Sequence, residues 1–310
     1  MQEEIKDELH GSPCLRELSS TLRVSEDGVE EVVEIVAVEA AVTITYGNTI
    51  VRSASMSPRE VDDYAVGFAF TSGIIDVYDD IVDISVLYDK DPIEAHVTLR
   101  EGLDLESRAD LRSSASEWRL VAAGGEDAKD SRVCEAAQPI GAAATPQTIG
   151  AALREQPIDS TTSQPDAPST LPKPRQLLNP QAIWNVSETL MSLQGMHQAT
   201  GATHAASFAG FDGKILFLSE DVGRHNAVDK LIGALLASGA DAEEGFAFLS
   251  SRCALELVEK LLRFGIKIIA TISAPTSAVI DLALREGITI CAFSREKRFT
   301  VYTHPERLLL

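Results

Sequence analysis

Eleven consecutive residues, Glu220-Asp221-Val222-Gly223-Arg224-His225-Asn226-Ala227-Val228-Asp229-Lys230, concentrate five charged side chains and a histidine between an apolar stretch and a helical pattern. Carboxylate, guanidinium, imidazole and amide groups at this density can hold a charged ligand by charge-assisted hydrogen bonds, and Gly223 lets a ligand approach the backbone closely. Upstream, Lys214-Ile-Leu-Phe-Leu-Ser219 has the length and composition of a buried strand. Downstream, Ala227, Val228, Leu231, Ile232, Leu235 and Leu236 recur at helical spacing until Gly239 supplies a stop. The run therefore reads as a strand-to-helix binding loop. A charged loop in that position is also what a merely solvated turn looks like, so the neighbouring segments decide.

Three of them repeat the arrangement. Phe246–Leu249, Ile266–Ile272 and Ile288–Phe293 read as further short strands. They are followed by Ser250-Ser251-Arg252, by Ser273-Ala274-Pro275-Thr276-Ser277 and by Ser294-Arg295-Glu296-Lys297-Arg298. Helices run after the first two of these loops and stop at Gly265 and Gly287. Strands alternating with helices of this length predict a largely parallel sheet with right-handed crossovers, so all four loops share one edge. Ligands of open α/β sheets lie at that edge, where helix N-termini favour anions. Arg224, Arg252, Arg295, Lys297 and Arg298 are expected there with Ser250, Ser273, Thr276 and Ser277. On a chain of net charge −20, cations gathered at one edge point to an anionic ligand, such as a nucleotide or a phosphate-bearing cofactor.

The elements that hold this edge fit in 310 residues of 45% hydrophobic content, enough for one large or two moderate domains. The acidic start lacks the pattern of a secretory signal, no apolar run is long enough to span a bilayer, and Cys14, Cys134, Cys253 and Cys291 are scattered. These features predict a soluble chain in a reducing cytoplasm, and the acidic excess argues against nucleic-acid binding. Residues 1–31 are polar and expected to be flexible, with order beginning near Val32. Val32–Val38, Ala41–Tyr46 and Thr49–Ala54 read as strands, the last two joined by a turn at Gly47-Asn48. Ser57-Pro58 resembles a helix N-cap with proline at the first helical position, and Val61, Tyr64, Ala65 and Phe68 share one face of the helix that follows. Ile81–Leu87 and Ile93–Leu99 alternate as half-buried strands do.

Beyond Glu101 the periodicity fades, and residues 138–180 hold eight of the thirteen prolines. The composition predicts a mobile loop and linker over 113–180, with Cys134 inside it. A thiol there is accessible, though position alone also fits a stray cysteine. After the linker, Ile183, Trp184, Val186, Leu190 and Met191 mark a helix, and His204 stands among small residues after Thr200-Gly201. A lone histidine there serves equally as a hydrogen-bonded core residue or as part of the edge site.

Taken together, Thr200-Gly-Ala-Thr-His-Ala-Ala206, Glu220–Lys230, Ser251-Arg252, Ser273-Ala-Pro-Thr276, Ala292-Phe293 and Val301-Tyr-Thr303 resemble the formate dehydrogenase accessory sulfurtransferase family of the FdhD/NarQ type. The resemblance covers nearly all of 176–310. It continues more weakly through Ser57-Pro58, Gly67-Phe68 and Ser72-Gly73-Ile74-Ile75, the last lacking the family's Glu between Ser and Gly. It implies an α/β fold, with a three-layer α/β/α, cytidine-deaminase-like domain at 181–310 beside a smaller N-terminal α+β domain at 32–112, and a homodimer. It also implies a protein that takes persulfide sulfur from a cysteine desulfurase and passes it to the bis-guanylyl molybdenum, or tungsten, cofactor needed by formate dehydrogenase. The cofactor, with its GDP-like moiety, is expected on Phe293, Ser294, Arg295, Glu296, Lys297 and Arg298. Thr200, Gly201, His204, Asp221, Gly223, Arg224, His225, Asn226, Ser251, Arg252, Ser273 and Thr276 are expected to complete the site, with no resident metal.

The family's persulfide motif is Cys-Gly-x-Cys-Gly, whereas this chain reads Ser131-Arg132-Val133-Cys134-Glu135. One thiolate suffices to carry a persulfide, with Arg132 and Lys129 favouring the thiolate and Glu135 and Asp130 opposing it. Loss of the second cysteine also makes a cofactor carrier without sulfur transfer a coherent alternative. A zinc nucleobase deaminase needs His/Cys-x-Glu followed by Pro-Cys-x-x-Cys. His204-Ala205-Ala206 lacks the Glu, and Cys253 is followed by Ala254-Leu255-Glu256, so the second thiolate of a Cys-x-x-Cys pair is missing.

Overall fold

The computed structural model describes residues 12–47, 50–103, 118–120 and 176–310. Its first element is an antiparallel hairpin of β1 (Leu15–Ser25) and β2 (Gly28–Ala37). Order thus begins well before Val32. Charges that read as a solvated tail pair across the strands instead, Arg23 reaching Glu30 at 3.2 Å and Glu34 at 2.8 Å.

A five-stranded sheet follows, built from β3 (Ala40–Tyr46), β4 (Ile50–Met56), β5 (Ile81–Leu87), β6 (Ile93–Leu99) and β7 (Trp118–Leu120) in the order β5-β6-β3-β4-β7. Between β4 and β5 runs helix α1 (Val61–Thr71), whose Tyr64, Ala65 and Phe68 are buried, as their spacing predicts. Tyr46 on β3 stacks on Phe68 and donates its hydroxyl to the Ala65 carbonyl at 2.8 Å. Ser57 is not the cap of this helix. Glu60, with φ of 52°, holds that position, and Ser57 is used elsewhere.

The C-terminal half contributes α2 (Pro180–Leu193), α3 (Gly195–Thr200), β8 (His204–Gly210), β9 (Ile215–Asp221), α4 (Arg224–Ser238), β10 (Gly245–Leu249), α5 (Leu255–Phe264), β11 (Ile268–Thr271), α6 (Ser277–Glu286), β12 (Thr289–Arg295) and β13 (Arg298–Thr303). Helices α4, α5 and α6 stop at Gly239, Gly265 and Gly287, each left-handed as a glycine stop requires. The sheet order is β13-β12-β11-β10-β8-β9. Strands β10, β11 and β12 are parallel, whereas β8 is antiparallel to both of its neighbours, so β9 runs the same way as β10. The sheet is therefore mixed, and β8 is a strand that periodicity does not reveal. His-Ala-Ala-Ser-Phe-Ala-Gly has little intrinsic strand preference, and its place in the sheet comes from tertiary pairing on both sides.

Side chains alternate between two apolar layers. Ala206, Phe208, Ala247, Leu249, Ile269 and Ile290 join the layer with α4, α5 and α6, while Ala205, Phe246, Phe248, Ile268, Ala270 and Cys291 join α2 on the other face. The larger layer also takes in α1 and strands β3 and β6, so residues expected to form two domains share one core. The joint is a helix crossing between α1 and α4. A Cβ at Gly67 would sit 1.8 Å from the Asp229 carbonyl oxygen, and one at Gly233 would sit 1.9 Å from that of Asp63. Only glycine permits this approach, because both obstructions are backbone. Gly233→Ala is therefore expected to destabilise the fold by about 3 kcal/mol, the upper range for overpacking. Urea unfolding of the variant against the parent measures it, and an unchanged midpoint would contradict the crossing.

Candidate functional site

Strands β9, β10, β11 and β12 end on one edge of the six-stranded sheet, and β8 begins there. The mixed sheet thus still gathers the four polar loops. Hydrogen bonds tie the last three loops to one another and the first of these three to β8. Ala205 N donates to Ser250 Oγ at 2.8 Å, Thr271 Oγ1 to the Ser251 carbonyl at 2.6 Å, Cys253 N to the Ala274 carbonyl at 3.1 Å and Phe293 N to the Ser273 carbonyl at 3.2 Å. The loops form a strip rather than a point. Neighbouring strands are about 4.8 Å apart, so the four steps from β9 to β12 separate Arg224 from the 293–298 segment by about 19 Å. The basic residues expected to converge instead line a row long enough for an extended ligand.

At the β9 end, the carboxylates of the 220–230 run face inward. Asp221 and Lys230 are both fully buried and meet at 2.6 Å. Asp221 also accepts from Ser57 N at 3.0 Å, Gly223 N at 2.7 Å and Asn226 Nδ2 at 3.0 Å. Lys230 Nζ donates to the Ser57 carbonyl at 3.1 Å, Val222 N to Ser57 Oγ at 3.2 Å, and Asn226 Nδ2 to the Ser55 carbonyl at 2.8 Å. Asp221, Gly223 and Asn226, expected to bind a ligand, are committed to this network, which clips α4 onto the segment before α1. Asp229 accepts from Thr71 Oγ1 at 2.8 Å and pairs with Lys260. Glu220, which the sequence reading left without a role, accepts from the backbone N–H groups of Met196 and His197 and from Thr203 Oγ1. Thr200 Oγ1 donates to the Met196 carbonyl, and Thr276 caps α6 through Val279 N.

Two of the edge cations, Lys297 and Arg298, pair with carboxylates. Arg252 is exposed and Ser273 partly so. Burial, and then the Arg224 charge, hold the half-buried His204 and His225 below the usual imidazole range. At the other end, β12 and β13 form a hairpin in which Phe293, Glu296 and Lys297 have φ of 57°, 54° and 55°. Glu296 and Lys297 are the central pair between partners Arg295 and Arg298, a two-residue loop that usually takes Asn-Gly because both positions need positive φ. Phe293 is 38% exposed, while Ser294 is fully buried and its hydroxyl has no partner. Ser187 on α2 donates to the Ser294 carbonyl at 2.6 Å, Lys297 lies 3.7 Å from Glu188, and Arg298 lies 3.1 Å from Glu296. Ser187 carries no sequence signal that separates it from other serines, whereas Ser250, expected at the edge, accepts from Ala205 N. Cys134 lies outside the described residues, as does Asn48 of the expected turn.

The comparisons with known proteins agree with this geometry. The model of the FdhD/NarQ family matches residues 37–309, and the chain belongs to that family. A relative in Bordetella parapertussis, the sulfur carrier protein FdhD, is 32% identical over 273 residues, 88% of this chain and 87% of the relative. The sulfur carrier protein FdhD of Burkholderia cenocepacia is 32% identical over 95% of each chain. The crystal structure of a formate dehydrogenase accessory protein from Desulfotalea psychrophila has the same fold, with a TM-score of 0.67 at 21% identity over 96% of this chain and 100% of that one. Among the described residues, no helix is long and apolar enough to cross a membrane.

The buried pair at the heart of the 220–230 run makes a sharp prediction. Lys230→Met fills the space but leaves Asp221 without its counter-charge, and should cost about 3–5 kcal/mol. Adding Asp221→Asn to that variant should recover much of the loss. A double-mutant cycle from chemical unfolding measures the coupling, and additive losses would refute it.

Proposed function

We propose that this protein is a sulfur carrier that accepts persulfide sulfur from a cysteine desulfurase on Cys134. It passes that sulfur to the bis-guanylyl molybdenum or tungsten cofactor required by formate dehydrogenase. The observation that carries the reading is the state of the other thiols. Cys14, Cys253 and Cys291 are buried; burial pushes the last two up to about 12 and also raises Cys14. A persulfide carrier needs an accessible thiolate, and those three cannot supply one. Cys134, in the segment that aligns with the family's persulfide motif, is left.

Sulfur loading is a thiolate exchange. The Cys134 thiolate attacks the terminal sulfur of the donor's persulfide, a new S–S bond forms, and the donor cysteine leaves as its thiolate. Releasing that sulfur as sulfide takes two electrons, and with a single cysteine in this segment the reducing thiol comes from elsewhere. As substrate, the cofactor is anionic and large, which suits a long basic edge on an otherwise acidic protein. The strained hairpin at Phe293–Arg298, with a buried orphan hydroxyl at Ser294, fits a segment shaped for a ligand rather than for stability. Thr200, Gly201, His204, Arg224, His225, Ser251, Arg252 and Ser273 lie along the same loops. Helices on both faces of the six-stranded sheet suit a cytidine-deaminase-like layering. A homodimer working in the cytoplasm completes the reading.

After incubation with a cysteine desulfurase and cysteine, mass spectrometry should show one added sulfur on the Cys134 peptide, and Cys134→Ala should lose both the loading and formate dehydrogenase maturation. Persulfide on another cysteine would overturn the assignment. Maturation at the parental rate by Cys134→Ala would instead favour a carrier that holds the cofactor without transferring sulfur. Because the edge and the thiol are separate, Arg252→Ala should weaken GDP binding roughly tenfold, as expected for a lost charge-assisted hydrogen bond, and leave sulfur loading intact. Calorimetry and the loading assay read the two effects independently.

A further inference from the structure

The opposite edge of the six-stranded sheet, where the parallel strands begin, carries two cations that the strand-end loops do not involve. Lys267 stands immediately before β11, and Arg307 ends the short turn Pro305–Arg307 that follows β13. The start of β12 joins the two segments. Thr289 N donates to the Lys267 carbonyl at 2.8 Å, and Thr289 Oγ1 to the His304 carbonyl at 2.7 Å. Leu178 N donates to the Arg307 carbonyl at 2.8 Å, so a third segment holds the turn in place.

Arg307 is only 8% exposed, yet among the described residues no hydrogen bond or ion pair engages its guanidinium. A buried guanidinium without an acceptor is costly, and a like charge nearby adds to the cost. Lys267 is that charge. Burial first, and then Arg307, hold the Lys267 ammonium below its usual range, while burial lowers Arg307 as well. The carboxylates whose charge reaches the two cations, Glu286 and Glu306, are engaged elsewhere. Glu306 meets His304 Nδ1 at 2.7 Å, and Glu286 meets Arg285 Nε at 3.0 Å. Lys267 Nζ donates to the Glu286 carbonyl at 3.2 Å, which leaves its other N–H groups unused among the described residues.

We propose that Arg307 and Lys267 form a binding site for a small tetrahedral oxyanion, of the phosphate or sulfate class, at the strand-start edge of the sheet. A planar guanidinium fork and an ammonium from a second segment present donors in more than one plane. A tetrahedral ion accepts in all of them, whereas a carboxylate accepts within one. The burial of Arg307 admits a free ion and excludes a phosphate that brings a sugar and a base with it. From Lys267 to Ser273 the extended chain spans about 20 Å, so this site and the strand-end loops lie at opposite ends of the strands. An ion gripping both cations ties the turn after β13 to the start of β11, and it stabilises the folded chain in step with its concentration.

The test uses the full-length protein with inorganic phosphate and sulfate, against chloride and acetate at equal ionic strength. Thermal unfolding should show a Tm that rises with phosphate or sulfate and stays level with chloride or acetate. The apparent phosphate affinity should fall tenfold or more in Arg307→Gln and severalfold in Lys267→Gln, with Arg307→Lys keeping part of it. In the parent protein, where no folding defect can intervene, the Arg307 Nε–H resonance should move on phosphate addition and stay in place on GDP addition. An unmoved resonance at high phosphate, or equal phosphate affinity in Arg307→Gln and parent, refutes the site. Acetate acting as strongly as phosphate overturns the tetrahedral assignment, and a resonance moved by GDP overturns the assignment to a free ion.

Discussion

The β9 end of the strand-end edge depends on one fully buried ion pair. Asp221 ends β9 and Lys230 lies in α4, so the eight residues between them include the whole turn from β9 into α4. Two charges taken out of water repay the cost only when their remaining hydrogen bonds are met, and here they are met by the backbone N–H and carbonyl of Ser57, by Gly223 N–H and by the Asn226 amide. The same contacts therefore fix the loop and fasten it to the chain 164 residues earlier. Below them, the glycine-to-backbone crossing of α1 and α4 makes the fastening rigid.

The opposite end of the edge is built on a different principle. Three non-glycine residues within five positions hold left-handed conformations, each at a cost of roughly 1 to 3 kcal/mol. Pairing between β12 and β13, and the grip of Ser187 on the Ser294 carbonyl, keep the hairpin in place despite that cost. One end of the strip is thus locked by buried charge and the other held under strain.

The placement of thiols follows the same economy. Buried in apolar surroundings, Cys253 and Cys291 are inert packing residues close to the ligand edge.

Much of this was legible in the sequence. The spacing of apolar residues marked β9 to β12, α4 to α6 and the α1 face, the glycine stops fell where left-handed residues end the helices, and the order of polar loops identified the edge. Local pattern reports such elements because helical and strand periods are written in consecutive residues. It could not report β8, whose small residues become a strand only between two partners, nor the β1–β2 hairpin, whose charges pair across the turn. Above all, sequence could not separate Asp221 and Asn226 from Arg224 and His204. All four are polar residues of the same motifs, and only the distant Ser55 and Ser57, brought against Asp221 and Asn226 by the α1–α4 crossing, decide which are spent inside the protein and which are not.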